Sequence, residues 1–474
     1  MEISRLVQRY LVLLAGFILA ASGTALAVPV LVGVSPASGP TAGGSLITLT
    51  GQNFGSTPIV MIGTRSATVQ LGGTDTSIVV SSPAGEGFNL DVKVIAAGSV
   101  SNAVSFSYLP PAISGLTPAT GPTAGGSTIT VIGSNFGLSP SVTIGGNSAP
   151  SIVASHSQVV CTLPAGQGLN REVRVTVAGQ ASPPATFNYA APAITSISPA
   201  TGTTAGGTQI TISGSNFGTA PVVVFDGVTA NPLAGSTHTR VIFTSPSGFG
   251  TGKNVALLVG DQLSNSLNFS YDPPSLASLS PTTGPTAGNI PITVVGANFG
   301  ANPTVTIGGA SAPILSQTAD GTVICTLPAG QGLSRVVQVT SQDSRSSNTL
   351  QFNYLPPAIT SIAAQSAPTA GNVPITIRGS NFGLSSSVTI GDQPAPVTLS
   401  SHETLVAQLP AGEGTGLPLV VTNSGQISNT FAFDYDAPLL ASISPASGPT
   451  LGGSVITLTG SNFGLTPSVK IGGV

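Results

Sequence analysis

The chain has no tryptophan, two cysteines and three histidines, and charged residues make up only 6 % of its 474 positions. Each shortage removes a class of function. With 12 basic and 15 acidic side chains the net charge is −3, which offers no field for holding phosphates. Nucleic acid and acidic membrane surfaces are therefore set aside as partners. A sugar-binding face ordinarily presents aromatic platforms. Here Tyr10 stands near the start, the other five tyrosines sit in a Phe-x-Tyr pattern, and only Phe88 and Phe249 look free for such a role. Past the first 27 residues no apolar run reaches the ~20 residues a membrane helix needs. What is abundant is glycine (60) and proline (39), beside 41 % hydrophobic residues in a regular pattern. Gly and Pro alone would suggest disorder, but patterned hydrophobicity points to packed, β-rich domains.

Asn-Phe-Gly recurs at Asn53, Asn135, Asn216, Asn298, Asn381 and Asn462, with gaps of 82, 81, 82, 83 and 81 residues by subtraction. A fixed period of that size is one structural unit copied along the chain. Each copy opens on a Pro/Gly-rich stretch, Ser35-Pro36-Ala37-Ser38-Gly39-Pro40-Thr41-Ala42-Gly43-Gly44 in the first, restated from Thr117, Ser198, Ser280 and Ser444. The fifth departs, with Ala363-Ala364-Gln365-Ser366-Ala367. This composition predicts a fixed turn with no regular strand.

Aliphatic residues then fall two apart, as in Ile47/Leu49, Ile129/Val131 and Ile375/Ile377, mostly with Thr between them. Period two places one set on each face of a strand. In Gly-x-Asn-Phe-Gly, the Gly permits a sharp bend, the Asn can bond its own backbone and the Phe plugs the core. A strand such as Ser141–Ile144 follows. Val159/Cys161/Leu163, the loop Pro164-Ala165-Gly166-Gln167-Gly168, Val173/Val175/Val177 and Phe187/Tyr189 complete the unit. Short alternating strands between turn signals predict an all-β array of antiparallel sandwiches, five complete and one truncated.

The order Pro-x-x-Gly-Pro-Thr-x-Gly-Gly, Ile-Thr-Ile, Gly-x-Asn-Phe-Gly, Val-x-Ile-Gly-Gly, Pro-Ala-Gly-x-Gly, Phe-x-Tyr resembles the IPT/TIG family of immunoglobulin-like domains, from Pro29 to Val474. The resemblance implies the fold. It does not choose among receptor, transcription-factor, microbial-surface and enzyme-stalk settings in which such domains occur. In many relatives the Cys161 position pairs with an upstream cysteine. Ala149 and Ala312 stand where a partner would be, so that bond is not expected here.

Arg5 and Arg9, the apolar stretch Leu11 to Ala21 and Ala25-Leu26-Ala27 form the order of a secretory signal peptide cut after Ala27. A membrane anchor is the competing reading, against which the run is short. The expected domains are a signal peptide over 1–27 and repeats over 28–109, 110–190, 191–272, 273–355, 356–436 and a truncated 437–474. Pro-rich joints such as Tyr108-Leu109-Pro110-Pro111 should be stiff, giving a row of beads. The sixth unit should have three strands, the last around Val469/Ile471, and the chain reads as a fragment of something longer.

No catalytic, cofactor-binding or metal site emerges, and no cofactor is expected. His156, His238 and His402 lie 21, 22 and 21 residues after their Asn-Phe-Gly asparagine, and Asp75 and Asp320 hold the same slot. No unit adds a matched ligand set, so the slot reads as a polar loop position. Gly248-Phe249-Gly250-Thr251-Gly252-Lys253 lacks the Gly and Ser/Thr of a phosphate loop. Cys161 and Cys325 share a position with Val80, Phe243 and Ala407, and read as buried small hydrophobes. Asn268-Phe269-Ser270 is a glycosylation sequon of the kind that arises by chance. The functional expectation is a non-enzymatic, secreted or cell-surface spacer and adhesion module. Its partner is a protein or cell-surface ligand, with carbohydrate the lesser candidate. The alternative is the non-catalytic stalk of a larger surface enzyme or receptor.

Overall fold

A computed structural model describes residues 27–473. The expected leader over residues 1–27 lies outside the described residues except for Ala27. The described chain holds no α-helix, and one 3-10 turn, Ala319–Gly321, interrupts the strands. By packing it divides into two compact units. One takes residues up to Ser198 with Thr211–Phe243 and Asn254–Leu267; the other takes Pro199–Ile210, Thr244–Lys253 and the residues from Asn268 onward.

In the first unit, the second repeat shows the plan. One sheet orders Ala112–Thr117, Thr128–Ser134, Gln158–Thr162 and Ser151–Ala154. The other orders Thr120–Gly121, Ala185–Tyr189, Arg171–Val177, Ser141–Ile144 and Asn147–Ala149, with Gln180–Ala181 beside Arg171–Val177. Thr128–Ser134 pairs antiparallel with Gln158–Thr162, which sets Ile129 opposite Cys161 and Val131 opposite Val159. The alternation thus becomes a single inward face of Ile129, Val131, Val159, Cys161, Val173, Val175, Phe187 and Tyr189. Full burial of each large aliphatic or aromatic side chain contributes about 1.5–3 kcal/mol. Repeat 1 differs in that Arg65–Val69 pairs with both Ile59–Ile62 and Ser77–Ser81, joining its two sheets into one.

In the second unit, the fifth repeat repeats the plan, with Ile375, Ile377, Phe382, Leu405, Ala407 and Phe433 in its core. The fourth repeat does the same around Ile292, Val294, Phe299 and Cys325.

The Pro/Gly-rich opening departs from the expectation of a turn without strand. Ser38–Gly39, Thr120–Gly121, Thr283–Gly284 and Ser366–Ala367 each form a two-residue strand, parallel to the end of the Phe-x-Tyr strand. The opening strand lies in one sheet, and the bend carries the chain across to the other. Short tethers reinforce this path: Asn102 Oδ1 accepts from Leu31 N at 2.9 Å and Nδ2 donates to Leu31 O at 2.8 Å.

The sixth segment also departs from expectation. Leu439–Ser444 pairs with Thr457–Ser461, but no strand forms at Val469/Ile471, which are 58 % and 59 % exposed. In repeat 2 the matching strand Ser141–Ile144 bonds Arg171–Val177 and Asn147–Ala149. The described sixth segment has no counterpart of either, and a strand without a partner leaves its backbone groups unpaired.

Candidate functional surface at the repeat junctions

The Asn-Phe-Gly loop is built by two constraints. The Gly two residues before the Asn lies under the opening strand: a Cβ on Gly133 would stand 2.1 Å from Ala112 O and 2.4 Å from the Phe136 ring. The Asn itself is left-handed in every copy, with φ between 58° and 61°, a conformation that asparagine tolerates better than most residues. Phe136 and its equivalents Phe54, Phe217, Phe299 and Phe382 are fully buried, as their role of core plug predicts.

The asparagine side chain does not bond its own loop. Asn135 Nδ2 donates to Pro110 O in the preceding linker at 3.2 Å, and Asn135 Oδ1 accepts from Thr41 N of repeat 1 at 3.3 Å. The pattern recurs: Thr123 N, Thr204 N and Thr286 N donate to Asn216, Asn298 and Asn381 Oδ1, each at 3.3 Å. These asparagines therefore staple adjoining repeats, and the threonine after the Pro-Gly turn is the element they grip.

The same threonine explains the His/Asp slot. Thr41, Thr123, Thr204 and Thr286 are buried to 4 % exposure or less. A hydroxyl buried so deeply costs free energy unless it is bonded. His156 Nδ1 lies 2.9 Å from Thr41 Oγ1, His238 Nδ1 3.0 Å from Thr123 Oγ1 and His402 Nδ1 2.9 Å from Thr286 Oγ1. At the remaining junction Thr204 Oγ1 donates to Asp320 Oδ2, and Gly300 N donates to Asp320 Oδ1 at 2.8 Å. The slot is a loop position, as expected, but its partner belongs to the neighbouring repeat.

Two further contacts complete the lock. The variable residue of Pro-Ala-Gly-x-Gly reaches the amides after the next Asn-Phe-Gly: Gln167 Oε1 accepts from Thr219 N at 2.8 Å and Ala220 N at 3.0 Å, and Gln331 Oε1 from Leu384 N at 3.0 Å. Glu413 Oε2 accepts from Leu465 N at 2.9 Å; bonds from Thr466 Oγ1, Thr466 N and Leu465 N hold its carboxyl below the ordinary value. From the other side, Gln180, Gln262 and Gln426 Nε2 donate to the carbonyls of Tyr108, Tyr189 and Tyr354 at 3.2, 3.2 and 2.9 Å. Those tyrosines are themselves fixed, since Tyr189 Oη donates to Pro164 O at 2.9 Å and its ring meets Phe187 edge-on.

The junction between repeats 3 and 4 substitutes three of these positions. Phe249 replaces the Gln/Glu, Asp320 replaces the His, and Arg345 replaces the hairpin Gln. Arg345 Nη1 donates to Tyr271 O at 2.6 Å, and its Nε donates to Asp343 Oδ2 at 2.5 Å. Burial raises the Asp343 carboxyl, but bonds from Ser341 and Arg345 and the charge of Arg345 outweigh this and leave it below its ordinary value. An open cleft of about 610 Å³ follows, bordered by Thr204, Phe249, Ala301, Gln317 and Asp320.

The other sequence candidates fall as follows. Cys161 and Cys325 are unpaired and buried, and burial pushes each thiol up to about 11. Phe88 is 54 % exposed, whereas Phe249 is partly buried beneath Lys253 Nζ, 6.0 Å from its ring centre. Asn268 is exposed on its strand. The threonine grip was missed in the sequence, although the threonine recurs at one position in all six units.

Comparison with known proteins accords with this repeated geometry. The IPT/TIG domain model matches residues 29–108, 111–189, 192–271, 274–354, 357–435 and 438–474. Fibrocystin-L of Mus musculus is 28 % identical over 289 residues, 57 % of this chain and 7 % of that protein. Plexin-B3 of Homo sapiens is 33 % identical over 178 residues, 35 % of this chain and 9 % of that protein. The chain thus spans under a tenth of the length of these relatives. The solved full extracellular region of plexin A4 aligns with 91 % of this chain and 53 % of its own length, at 16 % identity and a TM-score of 0.20. Six matched stretches, sharing one loop chemistry, make the chain a member of the IPT/TIG domain family.

Proposed function

We propose that this chain is a non-enzymatic, secreted or cell-surface protein whose tandem sandwiches hold a fixed spacing and present their outer strands and loops to a protein partner. The observation that carries the reading is the use made of the chemically capable side chains. His156, His238 and His402, the natural candidates for acid–base or metal chemistry, each bond a buried threonine of the preceding repeat. Gln167, Gln331 and Glu413 cap the next repeat's amides. Groups that would act on a substrate are committed to holding neighbours in place, as a spacer requires. Similarity to plexin- and fibrocystin-type proteins supports an extracellular setting, and the leader-like start of the sequence supports export with cleavage after Ala27.

Two measurements on the native source test the reading together. Protein recovered outside the cytoplasm should begin at Val28 on N-terminal sequencing. Cells lacking the chain should lose attachment to a protein-coated surface. Soluble cytoplasmic protein beginning at Met1, or attachment unchanged by its loss, would contradict it.

A further inference from the structure

At three junctions an oxygen from the preceding repeat caps the amides that follow Asn-Phe-Gly. Gln167 Oε1 caps Thr219 N and Ala220 N, Gln331 Oε1 caps Leu384 N, and Glu413 Oε2 caps Leu465 N and Thr466 N. A Cβ placed on the loop glycine would meet that oxygen, 2.3 Å away for Gly218, 2.4 Å for Gly383 and 2.0 Å for Gly464. Glu86 Oε2 covers Gly137 in the same way, at 2.3 Å.

The junction of repeats 3 and 4 lacks the cap. A Cβ on Gly300 would meet nothing nearer than Phe249 Cβ, at 4.0 Å. Ala301 and Asn302 are exposed, and among the described residues no acceptor meets the N–H of either. Phe249 walls the cleft of about 610 Å³ at this place, with Ser247, Gln317 and Asp320 around it. Lys253 Nζ stands 6.0 Å from the centre of the ring.

These groups are complementary to one kind of ligand. Two unclaimed donors on adjacent residues stand beside a carboxylate with acceptor capacity to spare. Asp320 Oδ1 takes Gly300 N and Oδ2 takes the Thr204 hydroxyl, against about four sites on its two oxygens. Where the other junctions carry a polar head, this one carries an aromatic ring. Such a set suits a ring whose adjacent hydroxyls both donate and accept and whose C–H face is apolar. Asp320 also sets the charge, because a ligand carboxylate on the same amides would be repelled by it. A glutamine side chain from a protein would reach the amides but offer Phe249 little more than its stem.

We propose that this cleft binds one neutral sugar ring of a carbohydrate. A hydroxyl oxygen of the sugar accepts from Ala301 N and Asn302 N, in the place that Gln167 Oε1 holds between repeats 2 and 3. A neighbouring hydroxyl donates to the Asp320 carboxylate, and the C–H face of the ring packs on Phe249. The site is separate from the surfaces offered to a protein partner and does not depend on that reading.

The test is calorimetric titration of the full chain with neutral tetrasaccharides of glucose, mannose, galactose and N-acetylglucosamine, followed by amide NMR. At least one should bind with millimolar affinity or tighter and shift the Ala301 and Asn302 amides. Tetragalacturonate, an acidic counterpart, should bind roughly tenfold more weakly. Phe249→Gln installs the cap of the other junctions. It should fold with unchanged or raised thermal stability and lose roughly tenfold or more in affinity. Asp320→Asn keeps a partner for the Thr204 hydroxyl, and should weaken the neutral sugar while removing the bias against tetragalacturonate. Absence of binding by every neutral sugar would overturn the proposal. So would binding that leaves the two amides unmoved or that neither substitution weakens, and so would capture of the tripeptide Ala-Gln-Ala in place of the sugars.

Discussion

Between repeats 2 and 3 the buried hydroxyl of Thr123 meets an imidazole, His238, and Gln167 and Gln262 bridge the flanks. Between repeats 3 and 4 the hydroxyl of Thr204 meets a carboxylate, Asp320, with Phe249 and Arg345 at the flanking positions. The backbone contacts are nonetheless alike: Asn216 and Asn298 accept from the threonine amides at the same 3.3 Å. The turn and the left-handed asparagine set the geometry, and the side chains around them need only satisfy a buried hydroxyl. One junction does so with an imidazole, the other with a carboxylate.

The largest expected effect lies in what the two junctions share. A Cβ on Gly214 would stand 2.0 Å from Ala193 O, and one on Gly296 1.9 Å from Ser275 O. Gly214→Ala and Gly296→Ala should each destabilise their own repeat by about 3 kcal/mol, since the opposing backbone carbonyl and the Phe217 or Phe299 ring must both shift. Hydrogen exchange at the Phe217 and Phe299 amides reads this repeat by repeat. Unequal losses would show that the loop geometry is not common to both.

Next in size is the hydroxyl itself, where the junctions should part. Thr204→Val leaves Asp320 Oδ2 without its donor and should cost about 2 kcal/mol of local stability. Thr123→Val leaves a histidine nitrogen and should cost about 1 kcal/mol. Equal effects would mean that the carboxylate is already served by water.

Acidification should sharpen the contrast further. The folded Asp343 carboxyl lies below its ordinary value. Its contribution is therefore fully present above the unfolded pKa of about 3.9 and is lost as pH falls through the lower folded value. Protection of the Arg345 hairpin against exchange should fall in that acid range. The Gln426 hairpin, Ser424-Gly425-Gln426, reaches Tyr354 O without a carboxylate and should not follow it. A pH-independent Arg345 hairpin would refute the role given to the ion pair.

The smallest effect concerns the thiols, which report on the repeats either side. Cys161 and Cys325 are fully buried, with thiols pushed up to about 11, so both should react slowly at neutral pH and two should titrate on denaturation. Thr204→Val should quicken Cys325 slightly and leave Cys161 unchanged. A Cys161–Cys325 disulfide in fresh monomer would contradict the arrangement of both cores.

The sandwiches were legible because burial imposes period two within a few residues. Ile129/Val131, Phe187/Tyr189 and the Cys161 position all turn inward as the alternation indicates. The two-residue strand Thr120–Gly121 was hidden, because its pairing with Asn188 and Tyr189 is set by the path between sheets and not by side-chain pattern. The junctions were half legible. The His/Asp spacing was visible, but Thr41 lies 115 residues before His156, and no local pattern links them. The clue was a threonine kept at one place in every unit, from Thr41 to Thr450, within a turn whose proline and glycines drew the reading toward backbone geometry alone.

The central claim, that side chains lock adjoining repeats, is tested most directly by spin-label distances across the junction between repeats 2 and 3. Nitroxides at the exposed positions Ser148 and Thr229 suit this, with Cys161 and Cys325 first replaced by Val and Ala, which other repeats carry there. The account predicts one narrow distance population that broadens when Thr123→Val and Asn216→Ala are combined. A broad distribution in the parent, unchanged by those substitutions, would contradict it.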